Sequence, residues 1–463
     1  MKHTLLTLLS LAAVLSAQTP ADNVAPAAVS VPVAAPVASA PVVQVSGPSN
    51  EELETRLKVV ERLRENDQEE QKAAKDKASK VDASSKGFRI EDAKGTYFLK
   101  VGGLVQATAQ YYFDDSAKVL PNNYSLRRAR LDVQTGLGKG VNFRLQTEFA
   151  PGASASLLDA YLDLQPSPVY GLRIGRFTPN IGLELTQSPV KTAFTDASLA
   201  SALLPIRDEG VQLQGDIGDG TLQYAVGVFN GTQDGVRADT DTEDEKEAAG
   251  RIWVTPFATW APSVLAGLSG GVGGSAGKQT TVPASYKSPG RNKIFGYKAA
   301  DTLQGWQYRL APQAAYFLGS FGFTSELVIE KQGLRDSASV HTARFTNKAW
   351  QYTVSYVITG EDASLKGVSP STPINGSESG FGAVEIALRV HAFDVDNKVF
   401  QRFSDPTKNV TQAVAYAGAL NWYATKNVRL TTEYSVTKFD GGAKKNTDRA
   451  QENLLTATAN LNF

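Results

Sequence analysis

Apolar and polar residues alternate with a period of two through most of this chain, and most plainly in its last stretch, Gln451 to Phe463. Leu455, Ala457, Ala459, Leu461 and Phe463 fall on one face, while Thr456, Thr458, Asn460 and Asn462 fall on the other. That period belongs to a β-strand with one apolar and one polar face. The pattern sets in after Gly87. Tyr97, Leu99, Val101, Val105, Ala107, Ala109 and Tyr111 alternate with Lys100, Gln106, Thr108 and Gln110. Ala129, Leu131 and Val133 then oppose Arg128, Arg130, Asp132 and Gln134, and Val141, Phe143, Leu145 and Phe149 oppose Asn142, Arg144, Gln146 and Glu148. A fourth strand sets Leu158, Ala160, Leu162 and Leu164 against Asp159, Tyr161 and Asp163. Later, Trp350 to Ile358 and Val384 to Val390 repeat the rule, the second opposite Glu385, Arg389 and His391.

Charges on the same face of so many strands are expensive in a dry core and natural in a water-filled lumen. The apolar faces then meet lipid, and only a closed barrel leaves no sheet edge there. Short turns at Gly138 to Gly140, Gly218 to Gly220 and Thr425 to Asn427 alternate with polar loops at Asp114 to Tyr124, Gly231 to Glu247 and Lys278 to Thr302. Roughly 375 residues at about 23 per strand with its share of loop give about 16 strands. The expected fold is all-β, an antiparallel transmembrane β-barrel over 88–463, with a short N-terminal periplasmic helix or coiled coil. An even count places both barrel ends in the periplasm. A soluble sandwich or propeller is the alternative, but no propeller-like repeat is visible and the outward faces are consistently apolar.

The N-terminal segments suit an exported protein. Lys2 and His3 precede the apolar run Leu5 to Leu15, and Ser16-Ala17 offers small residues for cleavage, so 1–17 is expected to be a signal peptide. Residues 18–48, rich in Ala, Val and Pro, form an extended linker. In 49–85, Leu53, Leu57 and Val60 recur at helical spacing among charges. This is either a solvated charged helix or a short oligomerising coiled coil. Cys is absent, which fits an exported chain built without disulfides and leaves no cysteine for a lipid anchor. Lys+Arg 47 balance Asp+Glu 47, so no global field favours nucleic acid or anionic lipid.

Catalytic and cofactor chemistry is missing from the pattern, and neither an enzyme, a cofactor nor a metal site is expected. Of three His, His3 lies in the signal and His341 and His391 are isolated. The run Gly270 to Lys278 has Val272 and Gln279 where a phosphate loop needs Gly and a hydroxyl, so a glycine-rich strand or bend is expected. The acidic run Asp239 to Glu247 lacks the ligand order of an EF-hand and reads as an external loop.

More specific than alternation are Leu126-Arg127-Arg128-Ala129-Arg130-Leu131, Leu158-Asp159-Ala160-Tyr161-Leu162, Leu172-Arg173-Ile174-Gly175-Arg176-Phe177 and Gly182-Leu183-Glu184. Together with Pro205 to Gly210, Tyr224 to Gly231, Gly382 to Arg389 and Ala419 to Tyr423, their order resembles the phosphate-selective porin O and P family across the barrel. The resemblance implies a homotrimeric outer-membrane porin whose third loop, here Thr178 to Pro205, folds into the lumen as a constriction carrying Glu184, Leu185, Lys191 and Asp196. A loop packed against a trimer neighbour is the other possibility. The family's anion site maps onto Arg127, Arg128 and Asp159. Strict alternation points Arg128 inward and Arg127 toward lipid, so both serve only if the strand bulges or ends near Arg127.

Two departures bear on substrate. The family's Lys after Gly-Leu-Glu is Leu185 here, and 277–298 offers Lys278, Lys287, Arg291, Lys293 and Lys298 without an Arg ladder. Inward candidates are mixed in sign: Lys100, Arg128, Arg130, Arg144 and Arg173 against Asp132, Glu148, Asp159 and Asp163. Lys191 joins the pore-lining candidates on the loop. The expected function is passive diffusion of small hydrophilic solutes or inorganic ions, anions such as phosphate among them. Outer-membrane lipid and the barrel-assembly machinery are the expected partners, the latter reading terminal Phe463 as its signal. A structural protein linking the outer membrane to the cell wall through the helix is the alternative.

Overall fold

The computed structural model describes residues 49–113, 121–150, 152, 154–231, 244–258, 264–337, 341–374, 380–444 and 447–463, with the side chains of 73–77 left aside. The expected signal peptide and linker, and Asp239, Asp241 and Glu243 of the acidic run, lie outside these residues. The described residues up to Glu69 and those from Glu70 to Phe463 form separate units. Helix α1 (Asn50–Lys77) starts at Ser49, whose hydroxyl accepts the Glu52 amide at 3.3 Å, with Glu51 and Glu52 in the first turn where the helix dipole favours acids. Leu53, Leu57, Val60 and Leu63 are all exposed on it.

Helical structure ends earlier than the charge pattern suggests. Residues 80–85 belong to a hairpin of β1 (Lys80–Ser84) and β2 (Gly87–Glu91), not to the helical segment expected over 49–85.

Sixteen antiparallel strands of the described residues form a closed barrel. Nine come first: β3 (Tyr97–Tyr112), β4 (Asn123–Gly138), β5 (Val141–Glu148), β6 (Ser156–Ser167), β7 (Tyr170–Phe177), β8 (Asp208–Ile217), β9 (Leu222–Phe229), β10 (Glu247–Val254) and β11 (Leu268–Gln279). The fifth loop then carries the hairpin β12 (Tyr286–Lys287) and β13 (Lys293–Phe295) and the short β14 (Thr302–Leu303). Seven more complete the wall: β15 (Gly305–Leu318), β16 (Phe321–Arg335), β17 (Thr342–Val357), β18 (Ala383–Asp394), β19 (Val410–Tyr423), β20 (Val428–Gly441) and β21 (Glu452–Asn462). Closure pairs β21 with β3, from Leu454 opposite Tyr112 to Asn462 opposite Leu104.

Below that point β2 takes over the free edge of β3 at Phe98 to Val101. Phe463 exchanges backbone hydrogen bonds with Gly103, and its ring meets Phe88 edge-on at 6.4 Å. The N-terminal hairpin thus covers the seam where the last strand stops.

Parity follows the alternation. Leu99, Val105, Leu131, Val354, Ile386 and Leu388 face outward, while Gln106, Thr108, Gln351, Glu385, Arg389 and His391 are buried inside. Tyr97, Tyr170 and Tyr356 at the turn end and Tyr111, Tyr124 and Trp306 at the loop end are exposed aromatics, as girdles at two membrane interfaces require.

Bulges correct two positions. Gln106 pairs with Arg128 and Ala107 with Leu126, leaving Arg127 as the extra residue. Likewise Gln146 pairs with Asp159 and Thr147 with Leu157, so Leu158 is fully buried and not on the lipid face expected for it.

The connections also depart from simple alternation of short and long. The link between β17 and β18, residues 358–382, leaves from the turn end, and Ala363 donates to the Gly319 carbonyl there at 2.8 Å. Its Leu365 packs with Leu183 of the third loop and Trp253.

The interior is not uniformly wet. The third loop's short 3-10 helix, Leu199–Leu203, packs with Val328, Ala349, Tyr286, Phe295, Phe393 and Phe403 into one apolar cluster. Burying these loop side chains fixes the loops against one side of the bore.

Candidate functional site

The third loop runs from Phe177 to Asp208 and is tied to the inner wall along its length. Gln313 donates to the Ile181 carbonyl at 2.5 Å, and the Leu183 amide donates to Glu326 at 2.8 Å. Farther along, Arg429 donates to the Thr192 carbonyl at 2.7 Å and Asn421 to the Ala193 carbonyl at 2.9 Å. The Thr195 amide reaches Glu433 at 3.3 Å, and the Leu199 amide donates to His391 Nδ1 at 2.9 Å. Strands β15, β16, β18, β19 and β20 therefore all hold this loop. Backbone groups that would otherwise be buried unpaired find wall side chains as partners.

Within the loop, Glu184 is a hub. One oxygen accepts the Ser198 amide at 2.7 Å and the Ser201 hydroxyl at 3.0 Å, and the other accepts Arg389 at 3.1 Å. Arg389 also lies 4.1 Å from the Phe194 ring centre. Lys191 is exposed, with the backbone of Gly367 beside it, so the 358–382 connection meets the third loop inside the bore.

Most inward cations are already matched to a carboxylate. Arg130 pairs with Glu148 at 2.8 Å, Arg144 with Asp132 at 2.6 Å, and Arg173 with Asp163 at 2.7 Å. Asp159 accepts Arg207 at 2.8 Å and lies 3.7 Å from Arg144. Arg128, buried, is bonded to neutral acceptors: Gln106 and the Thr195 carbonyl. Thus Arg128 and Asp159 do not meet in a direct ion pair; each serves a different loop residue.

The bulge turns Arg127 toward the third loop, where its Nε bonds Asp196 at 2.7 Å. Arg291 reaches the same carboxylate from the fifth loop at 2.9 Å. Burial pushes the Asp196 carboxyl up, but Arg127, Arg291 and Arg128 outweigh it and hold the group well below the usual carboxylate range. The fifth loop is pinned across the mouth by Glu452, which accepts the Gly290 amide at 2.9 Å and the Ser288 hydroxyl at 3.0 Å. Between the two loops lies a cavity of about 640 Å³.

Residues 99–463 match the profile of the phosphate-selective porin O and P family. The chain belongs to that family. Searched against curated proteins, this porin has no match.

Its fold is similar to solved outer-membrane proteins at low identity. The outer-membrane channel DcaP of Acinetobacter baumannii is 13% identical over 80% of this chain and 98% of its own, with a TM-score of 0.51. A loop-deletion mutant of OmpT from Vibrio cholerae is 8% identical over 80% of this chain and 100% of its own, with a TM-score of 0.50. In vitro folded OmpT in its trimer form is 8% identical over 79% and 99%, with a TM-score of 0.50. This porin is an outer-membrane β-barrel channel for small solutes. Family and fold point to a channel and not to an enzyme.

Several residues that shape the porin's bore were not singled out as site residues by sequence: Arg207, Gln313, Glu326, Asn421, Arg429 and Glu433. Their inward parity was visible for the strand members. The partners of Gln313, Glu326, Asn421, Arg429 and Glu433, loop backbone atoms more than a hundred residues away, were not. His341 sits at the mouth, its Nδ1 3.5 Å from Asp336. Glu247 of the acidic run turns inward to Arg309 at 2.6 Å, while Glu245 pairs with Lys278 at 3.3 Å.

Proposed function

We propose that this porin is a general diffusion channel for small hydrophilic solutes and inorganic ions, with a modest preference for anions and no phosphate-specific site. The carrying observation is the pairing of the inward charges. A specific oxyanion site needs guanidinium donors free to replace the anion's hydration shell. Here Arg127, Arg130, Arg144 and Arg173 already face Asp196, Glu148, Asp132 and Asp163, and Leu185 adds no charge. The lysines of the fifth loop supply the anion preference as a diffuse field.

In this reading the third loop is the constriction, with Glu184, Leu185, Lys191 and Asp196 along it. Residues 1–17 are cleaved on export, 18–48 act as a linker, and the helix lies in the periplasm, as a solvated helix or a short coil. The channel works as a homotrimer, a form in which the similarly folded OmpT has been solved. Phe463 serves as the signal for barrel assembly.

The test is purified protein in a planar bilayer, with reversal potential measured across a potassium chloride gradient while phosphate is titrated in. Weak anion selectivity without block is expected. Strong anion selectivity with block at low phosphate would overturn the general-porin reading and restore a specific site at Arg127, Arg128 and Asp159.

A further inference from the structure

The cavity between the third and fifth loops has two kinds of wall. Lys287, Lys293 and Lys298 are exposed along it, and none is paired with a carboxylate among the described residues. Sharing the lining with them are apolar side chains: half-buried Leu185 and Ile206 from the third loop, and exposed Val282 from the fifth. The remaining lining charges, Arg127, Arg291 and Asp196, satisfy one another.

A further feature points to a ligand. Ser198 is buried and lines this cavity, and its hydroxyl has no hydrogen-bond partner among the described residues. An unmet buried hydroxyl carries a desolvation cost that a bound acceptor removes.

A compact inorganic oxyanion is poorly served by such a wall. It loses water on every side, and leucine, isoleucine and valine return nothing for the lost hydration. An anion with an apolar body is served on both sides. Its body removes apolar surface from water, and its carboxylate takes the Ser198 hydroxyl and the lysine ammonium groups. We propose that this cavity is a binding site for organic monocarboxylates with an aromatic or branched aliphatic body, which dwell there on their way through the channel. The proposal rests on the channel reading and adds a substrate class to it.

The test compares three probes on the full-length protein in a planar bilayer at constant ionic strength: benzoate, acetate and inorganic phosphate. Benzoate is expected to interrupt the potassium chloride current at a concentration about tenfold below acetate, because only its ring buries apolar area. Phosphate is expected to be no better than acetate. Two variants separate the elements. Ser198→Ala removes only the unpartnered hydroxyl and should weaken benzoate severalfold. Leu185→Ala should weaken benzoate and leave acetate unchanged.

Equal effects of benzoate and acetate, stronger block by phosphate, or indifference to both substitutions would each overturn the site. Normal conductance steps in chloride with no benzoate effect would sink this proposal alone. Absence of any conductance step would sink the channel reading together with it.

Discussion

Arg127 shows how one extra residue changes what a strand presents. Alternation alone assigns it to lipid, and the bulge opposite Gln106 and Ala107 brings it to Asp196. The bulge has no signature in the alternation, so the site was legible in its residues and not in its geometry. The ion pairs of the wall were legible as mixed signs on neighbouring strands, because residues opposite each other in a ladder are fixed by register.

Asp196→Asn leaves Arg127 and Arg291 facing each other without a shared carboxylate. Loss of a charged hydrogen bond of about 1.5–3 kcal/mol should lower the unfolding temperature in detergent, and the uncovered charge should shift the reversal potential toward anions. An unchanged reversal potential would remove Asp196 from the ion pathway. pH acts on the same group. Its folded value lies below its unfolded one, so its stabilisation is complete above the ordinary carboxylate value of about 4 and is lost only as pH falls through the depressed value. The difference in ion preference between the wild type and Asp196→Asn should therefore hold steady from neutral pH down to about pH 4. A change in that difference inside the interval would show Asp196 titrating normally.

Among the elements, the third loop was legible as a long, lightly charged connection, but its route was not. Its course depends on close backbone approach: a Cβ on Gly273 would collide with the Ile181 carbonyl. The glycine-rich run of β11 was expected as a strand or bend, and contact with a loop ninety residues upstream leaves no local trace. Gly273→Ala should push the loop off the wall and change single-channel conductance while the barrel still folds, as shown by heat-dependent gel mobility. Unaltered conductance would mean that the loop's seat on β11 does not shape the pore. The 358–382 connection was illegible for a related reason. Length marks it as a loop, but only strand counting places it at the turn end, where it enters the bore beside Lys191.

For the whole molecule, closure was the most legible feature, since inward charges and outward aromatics on so many strands leave no other arrangement. The boundary of the N-terminal helix was less so, because β1 and β2 carry little alternation and gain their order from the edge of β3. Removal of residues up to Lys77 should leave conductance and unfolding temperature unchanged. Removal through Glu91 should lower the unfolding temperature, because the β3 edge and Phe463 lose their cover. Equal stability of the two truncations would make the hairpin dispensable to the seam.

The distribution of charge along the axis also bears on how current flows. Lysines without carboxylate partners among the described residues gather at the loop mouth, whereas Arg144 and Arg173 near the turn end are neutralised by Asp132 and Asp163. A bore with more unpaired charge at one mouth than at the other is a weak diode. Inserted in one orientation, the channel should pass more current at one polarity than at the other. The asymmetry should fade in about 1 M salt, where the screening length shrinks to about 3 Å.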